Sequence, residues 1–134
     1  MTEDVEQRQL IQWAKTIPEG QFLYHIPNEN IAGQKWGIRN KQLGVRSGVP
    51  DLCLPIPAGG YHGLYIEMKT KAGTTSEKQD RWLAALNGFG YLAVVCHGWE
   101  EGRDAITRYL QPLHGGAVGD DEGHVGAEDA GPVE

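Results

Sequence analysis

Gly48-Val49-Pro50-Asp51-Leu52-Cys53-Leu54-Pro55-Ile56, a Pro-Ala-Gly-Gly turn at 57–60, and His62-Gly63-Leu64-Tyr65-Ile66-Glu67-Met68-Lys69 decide how this chain folds. Two apolar runs joined by so short a turn predict an antiparallel pair of strands, 51–56 and 62–69. Side chains alternate along a strand, so Glu67 and Lys69 point to one face and Met68 to the other. If the strands pair, Asp51 reaches the same spot. Leu52, Leu64 and Ile66 mark these as buried strands, where charged groups need partners. Two carboxylates and an ammonium at one point of a sheet are poor core material. They suit a site for a divalent metal and an anionic substrate.

Outward from this hairpin, residues 3–16 show helical spacing of apolar positions with Thr2 as N-cap, stopped by Pro18-Glu19-Gly20. Residues 21–26 predict a short strand ended by Pro27. Residues 30–43 predict a polar helix with Gly44 at its C-terminus. Val45 to Pro50 is a loop, since Pro50 disfavours helix at Val49. Ser76-Glu77-Lys78-Gln79 has the spacing of a capping box and opens a helix to about 87. Tyr91 to Cys96 is the most apolar run and predicts a central strand, and Trp99 to Leu110 a closing helix. The strand-helix-strand order after residue 62 implies a right-handed crossover. The sum is an α/β domain, a mixed sheet flanked by helices, over residues 1–111. Residues 112–134 are Gly-rich and acidic and read as a disordered tail. Trp13, Trp82 and Trp99 read as core, and so does Trp36, for which stacking on a base at a DNA branch is the alternative.

The chain has 134 residues and a formal net charge of −6, an unpromising sign for a nucleic-acid partner. Location changes that reading. Asp120, Asp121, Glu122, Glu128, Asp129 and Glu134 lie in the tail, which has no Lys or Arg, so residues 1–111 hold 12 basic and 12 acidic side chains. Within 35–81 the basic residues are Lys35, Arg39, Lys41, Arg46, Lys69, Lys71, Lys78 and Arg81, against Asp51, Glu67, Glu77 and Asp80. The stretch around the proposed site is positive. Lys41, Arg46, Lys71, Lys78 and Arg81 are the candidate phosphate contacts. Cys53 and Cys96 lack metal-ligand or redox spacing and read as buried thiols. The acidic N-terminus is no signal peptide and no apolar run is long enough to span a bilayer, so a cytoplasmic chain is expected.

Phosphodiester hydrolysis needs an activated water, charge neutralisation and help for the leaving oxygen. Mg²⁺ or Mn²⁺ can serve all three. Such ions take oxygen ligands and keep several waters, so Asp51 and Glu67 form a sufficient nucleus. Lys69 can orient or deprotonate the water or steady the developing negative charge. His25, His62 and His97, at strand ends, read as structural.

Pro50-Asp51 with Glu67-x-Lys69 resembles the PD-(D/E)xK nuclease superfamily. Gly44-x-x-x-Gly48-Val49-Pro50-Asp51-Leu52, Ile66-Glu67-Met68-Lys69 and Ser76-x-x-Gln79 more narrowly resemble the VRR-NUC (virus-type replication–repair nuclease) family, over roughly residues 3–110. The resemblance implies a restriction-endonuclease-like α-β-β-β-α-β core. It implies metal binding by Asp51, Glu67 and the Met68 backbone carbonyl, with Lys69 catalytic. It also implies a glutamate from the first helix, for which Glu6 fits best and Glu3, one turn earlier, is the rival. Gln79 matches the polar residue that opens the helix behind the site, as cap, site residue or both. Stand-alone phage and bacterial members are similar in length to this chain and act as dimeric endonucleases on branched DNA such as four-way (Holliday) junctions. The helix at 30–43 is then an insertion and a candidate dimer contact. The alternatives are a non-specific or restriction-like duplex nuclease, and a catalytically silent branch-binding module. The chain shows no target-recognition domain, which favours shape over sequence as what is read.

Overall fold

Thr2 opens the first helix, α1 (Glu3–Ala14), by accepting the Val5 N–H on its hydroxyl at 3.2 Å. Glu3, Asp4 and Glu6 crowd the first turn, where carboxylates meet the positive end of the helix dipole. The structure is a computed structural model and describes residues 1–28 and 34–115. After α1 come a 3-10 turn (Glu19–Phe22), β1 (Tyr24–His25), α2 (Gln34–Gln42), β2 (Leu52–Leu54), β3 (Leu64–Lys69), α3 (Glu77–Gly88), β4 (Leu92–His97), α4 (Trp99–Leu110) and a second 3-10 turn (Gln111–His114). The expected element order is present.

The sheet runs β1-β2-β3-β4. The hairpin is antiparallel, with Leu52 opposite Ile66 and Leu54 opposite Leu64, and β3 and β4 are parallel. Leu64, Ile66 and Met68 join Leu52 and Leu54 in a core with Leu10 and Ala14 of α1 and Ile106, Tyr109 and Leu110 of α4. Gly102 lets α1 and α4 close up, since a Cβ there would stand 2.6 Å from Leu10 Cδ2. Each fully buried leucine contributes about 1.5–3 kcal/mol. Tyr109 ties the helix layer to the hairpin by donating its hydroxyl to the Ile56 carbonyl at 2.6 Å. The opposite sheet face carries Glu67 and Lys69 and is covered from α3, which hydrogen-bonds to it through Asn87 and Gln79. No helix among the described residues is long and apolar enough to cross a membrane.

Three expectations change. The run 91–96 does form a strand, β4, but it lies at the end of the sheet order rather than in its centre. Its apolar character comes from layering, with α4 packed on one face and α3 on the other. Residues 21–26 are not a full strand. Pro18 holds φ −57° and ψ −49° and launches a 3-10 turn, so only Tyr24 and His25 pair, with Cys53 and Leu52. The described body also runs past residue 111, where His114 Nε2 meets Glu19 Oε2 at 2.7 Å. That bond, first among the causes, holds the Glu19 carboxyl below its ordinary pKa.

Helix α2 starts at Gln34, and residues 29–33 of the expected 30–43 helix, the side chain of Trp36, and residues 116–134 of the tail lie outside what is described. α2 ends with paired C-terminal hydrogen bonds, Gly44 N–H to Lys41 at 3.1 Å and Val45 N–H to Asn40 at 2.8 Å. The chain then turns to Gly48, with φ +90°. A Cβ at that position would sit 2.8 Å from the backbone carbon of Lys78. The loop before Asp51 thus rests directly on the first turn of α3, and only glycine allows it.

Gly48→Ala meets both a strained φ and a backbone collision. Circular dichroism melts are expected to place its Tm roughly 10–20 °C below wild type, from about 2–3 kcal/mol of strain. An unchanged Tm would mean that the loop does not rest on α3.

Candidate active site

Asp51 precedes β2 by one residue. Continuing the hairpin register from Leu52–Ile66 puts it directly across from Glu67. Cross-strand neighbours point their Cβ atoms to the same face, about 4.5–5.5 Å apart. Asp51 Oδ2 accepts the Met68 N–H at 2.8 Å, which fastens the start of β2 to the end of β3. Its backbone carbonyl accepts the Ile26 N–H at 2.7 Å. The sequence expectation about faces holds, for the Met68 side chain lies in the core while Glu67 and Lys69 share the other face.

Glu67 is the most deeply set acid among the described residues, 2% exposed. Gln79 Nε2 donates to its Oε2 at 3.0 Å, and Lys69 Nζ stands 3.6 Å from the same oxygen. Its other oxygen, Oε1, is buried without a hydrogen-bond partner. Burial, and then the negative charge of Asp51, push its carboxyl up to about 8, against the pull of Lys69. A buried carboxyl that faces a second carboxylate and lacks a donor could hold a cation.

Gln79 serves two purposes at once. Its backbone N–H goes to the Ser76 hydroxyl at 3.2 Å and its Oε1 takes the Ser76 N–H at 2.9 Å, completing the capping box of α3. The amide NH₂ is left for Glu67. A glutamate would complete the same box but could donate nothing, and would bring another negative charge to the site.

Lys69 is 8% exposed. Its Nζ lies between Glu67 Oε2 at 3.6 Å and Glu3 Oε2 at 3.9 Å. The helix carboxylate beside Lys69 is therefore Glu3, not the expected Glu6. Glu6 Oε1 accepts the Trp99 N–H at 2.8 Å and caps α4, whose own N-cap residue is Gly98 and has no side chain to do so. The reason is visible in the spacing. Glu6, Leu10 and Ala14 form one stripe that faces α4 and the core, whereas Glu3 and Gln7 form the neighbouring stripe. Gln7 Nε2 lies 3.1 Å from His25 Nδ1, and that nitrogen donates to the Asp51 carbonyl at 3.0 Å. His25 supports Asp51 from behind, a role visible only once β1 is placed beside β2. His62 packs edge-on against Tyr91, and His97 Nε2 bonds the Gly73 carbonyl at 3.0 Å, as befits structural residues.

Among the described residues no three His, Cys, Asp or Glu side chains gather into a metal cage. Asp51 and Glu67 make a pair, and Lys69 stands between Glu67 and Glu3. The donor set that fits is thus two carboxylates, with the remaining positions left to backbone oxygen and water. All these donors are hard oxygens, which suits Mg²⁺ or Mn²⁺ rather than zinc. Of the five expected phosphate contacts, Lys41, Arg46, Lys78 and Arg81 surround one groove beside α3. Lys71 stands apart on the exposed turn after β3. Cys53 and Cys96 are free, buried thiols, and burial drives Cys96 up to about 12.

A family model for the VRR-NUC domain matches residues 2–100. A solved structure described as a "VRR_NUC domain protein" is 30% identical and has a TM-score of 0.72, covering 83% of this chain and 89% of its own. No curated protein matches the chain. The four-stranded mixed sheet between helices is the α/β fold that this likeness requires.

The raised carboxyl of Glu67 has a definite sign. Its contribution to stability is full below the ordinary carboxylate pKa and is lost as pH rises through about 8. In EDTA, Glu67→Gln is expected to melt about 5–10 °C above wild type at pH 8.5, with the gap closing towards pH 5. Melts across that pH range check it. A variant less stable than wild type at pH 8.5 contradicts the assignment.

Proposed function

The chain belongs to the VRR-NUC domain family, nuclease-type domains that process DNA, and on that premise we propose that it is a metal-dependent DNA endonuclease acting on branched DNA. The observation that carries this reading is the donorless buried oxygen of Glu67, set opposite Asp51 and beside Lys69. Asp51, Glu67 and the Met68 backbone carbonyl would hold Mg²⁺ or Mn²⁺. The bound ion would neutralise the phosphate and lower the pKa of a water. Gln79 keeps Glu67 oriented by its amide hydrogen bond. Lys69 brings a positive charge, steadied by Glu67 and Glu3, to meet a phosphate oxygen in the transition state. We assign to Glu3 the part the family gives to a first-helix glutamate, and to Glu6 the capping of α4.

Each chain has one such site, and a symmetric four-way junction needs a cut in each of two strands. A C₂ dimer would supply both. Residues 1–115 form the nuclease unit in this reading and the acidic segment beyond it an appendage.

The test is a cleavage panel of linear, flapped, splayed and four-way DNAs with Mg²⁺ or Mn²⁺. Wild type should cut the branched substrates in preference to the linear duplex and lose activity in EDTA. Lys69→Ala should cut about 10²–10³-fold more slowly. No cleavage by wild type, or equal cleavage by the variant, sinks the proposal, and cutting of plain duplex alone makes it a duplex nuclease. A paired comparison separates the two helix glutamates. Glu3→Gln should slow cleavage with little change in Tm. Glu6→Ala should instead lower Tm by roughly 3–6 °C, from the loss of a helix cap worth about 1 kcal/mol.

A further inference from the structure

The basic groove beside the site has a composition that duplex-backbone binding does not explain. It encloses about 590 Å³ between the loop after α2 and one face of α3. Lys41, Arg46, Lys78 and Arg81 contribute four positive charges to its lining, which contains no acid among the described residues. Trp82 and Phe89 line the same groove. Phe89 is 69% exposed, an aromatic ring offered to solvent at the end of a helix. Lys78, Arg81, Trp82, Ala85 and Phe89 recur at helical spacing, so they form a single stripe along α3. At 1.5 Å per residue the stripe is about 16 Å long. That matches roughly five nucleotides at 3.4 Å per stacked base. Gly48 presses the loop that carries Arg46 onto the backbone of Lys78, so both walls of the groove are held together by one contact.

Cations that track a backbone, interleaved with rings that bases can stack on, are the chemistry of single-strand binding. Bases in a duplex are already stacked and gain nothing from Trp82 or Phe89. We propose that this groove is a binding channel for an unpaired strand, with phosphates on Lys41, Arg46, Lys78 and Arg81 and bases on Phe89 and Trp82. Its Lys78 precedes Gln79, the residue that holds Glu67, so the groove and the carboxylate pair draw on the same turn of α3. An unpaired arm lying there would leave the branch point beside the carboxylates. The proposal rests on DNA as the substrate and extends it from the cut bond to the arm that positions it.

The test reads binding apart from cleavage. Fluorescence anisotropy in EDTA at low salt, with the full-length protein, compares a dye-labelled dT15 strand with a blunt 15-base-pair duplex. Wild type should bind dT15 more tightly than the duplex. Phe89→Ala, at an exposed position, should weaken dT15 binding by about tenfold, the loss of one base stack, and leave duplex binding nearly unchanged. Arg81→Ala should lower the log–log salt slope for dT15 by about 0.7, one released counterion on a single strand. Melting temperatures confirm that both variants are folded. Equal affinity of wild type for the two probes, or variants that bind dT15 as wild type does, would overturn the channel. If dT15 binding behaves as expected while the cleavage panel stays silent, the channel stands and the nuclease reading falls.

Discussion

Everything at this site follows from two like charges set across an antiparallel pair. Asp51 and Glu67 are held face to face by the register of the hairpin, and the hairpin is held by the core beneath it. Like charges opposite each other in a sheet are destabilising, and burial of Glu67 makes that worse. Each neighbour answers this repulsion. The Met68 amide takes one oxygen of Asp51, the Gln79 amide takes one oxygen of Glu67, and Lys69 lies against Glu67. The repulsion is still incompletely cancelled, since Glu67 Oε1 has no donor. A protein selected for stability alone would place a hydrogen-bond donor or an apolar side chain there. That residual demand for positive charge at a buried point is what supports the proposed cation site.

The rest of the architecture fixes that pair in place. Gly98 donates its N–H to the Lys69 carbonyl at 2.9 Å, and the next residue, Trp99, donates to Glu6. α1 is thereby anchored on the start of α4, which sets the rotation that turns Glu3 towards Lys69. His25 and Ile26 clamp the Asp51 carbonyl from β1. Gly48 seats the preceding loop on α3, and α3 in turn presents Gln79. The charged group thus receives support from separate segments of the chain, each through one or two hydrogen bonds or a close contact. Precision of this kind is required because an effective site tolerates little displacement of its donors.

How far the sequence could be read depended on whether a property was local. The hairpin, the opposed carboxylates and the capping box at Ser76 are written within a few residues of one another, and they appear as expected. The rank of β4 in the sheet is not local. Its apolar run reports cover on both faces, which a terminal strand between two helix layers has as fully as a central one. The choice between Glu3 and Glu6 turned on about 60° of rotation around one helix. The stripe of Glu6, Leu10 and Ala14 holds that information, but only once the face of α1 that meets α4 is known. The basic residues at 41, 46, 78 and 81 look scattered in the chain and become a groove only because Gly48 folds one wall against the other. Phe89, just past the expected end of that helix, carried no signal until it was seen at the end of that groove.

The charge distribution links the two halves of the proposed mechanism. A phosphodiester brought towards Asp51 and Glu67 meets negative charge rather than positive, so nothing in the bare pair favours DNA. The groove along α3 offers the opposite field, and among the described residues Lys69 is the cation placed against Glu67. On this reading a strand is drawn to the groove whatever occupies the carboxylate pair, and it reaches the carboxylates only when a cation cancels their charge. Binding of the arm and admission of the scissile phosphate are then separate events with separate electrostatic requirements. Such a division suits an enzyme of overall charge −6. In the proposed channel the attraction for DNA comes from the four cations of the groove, and the strand held there is the one brought towards the site.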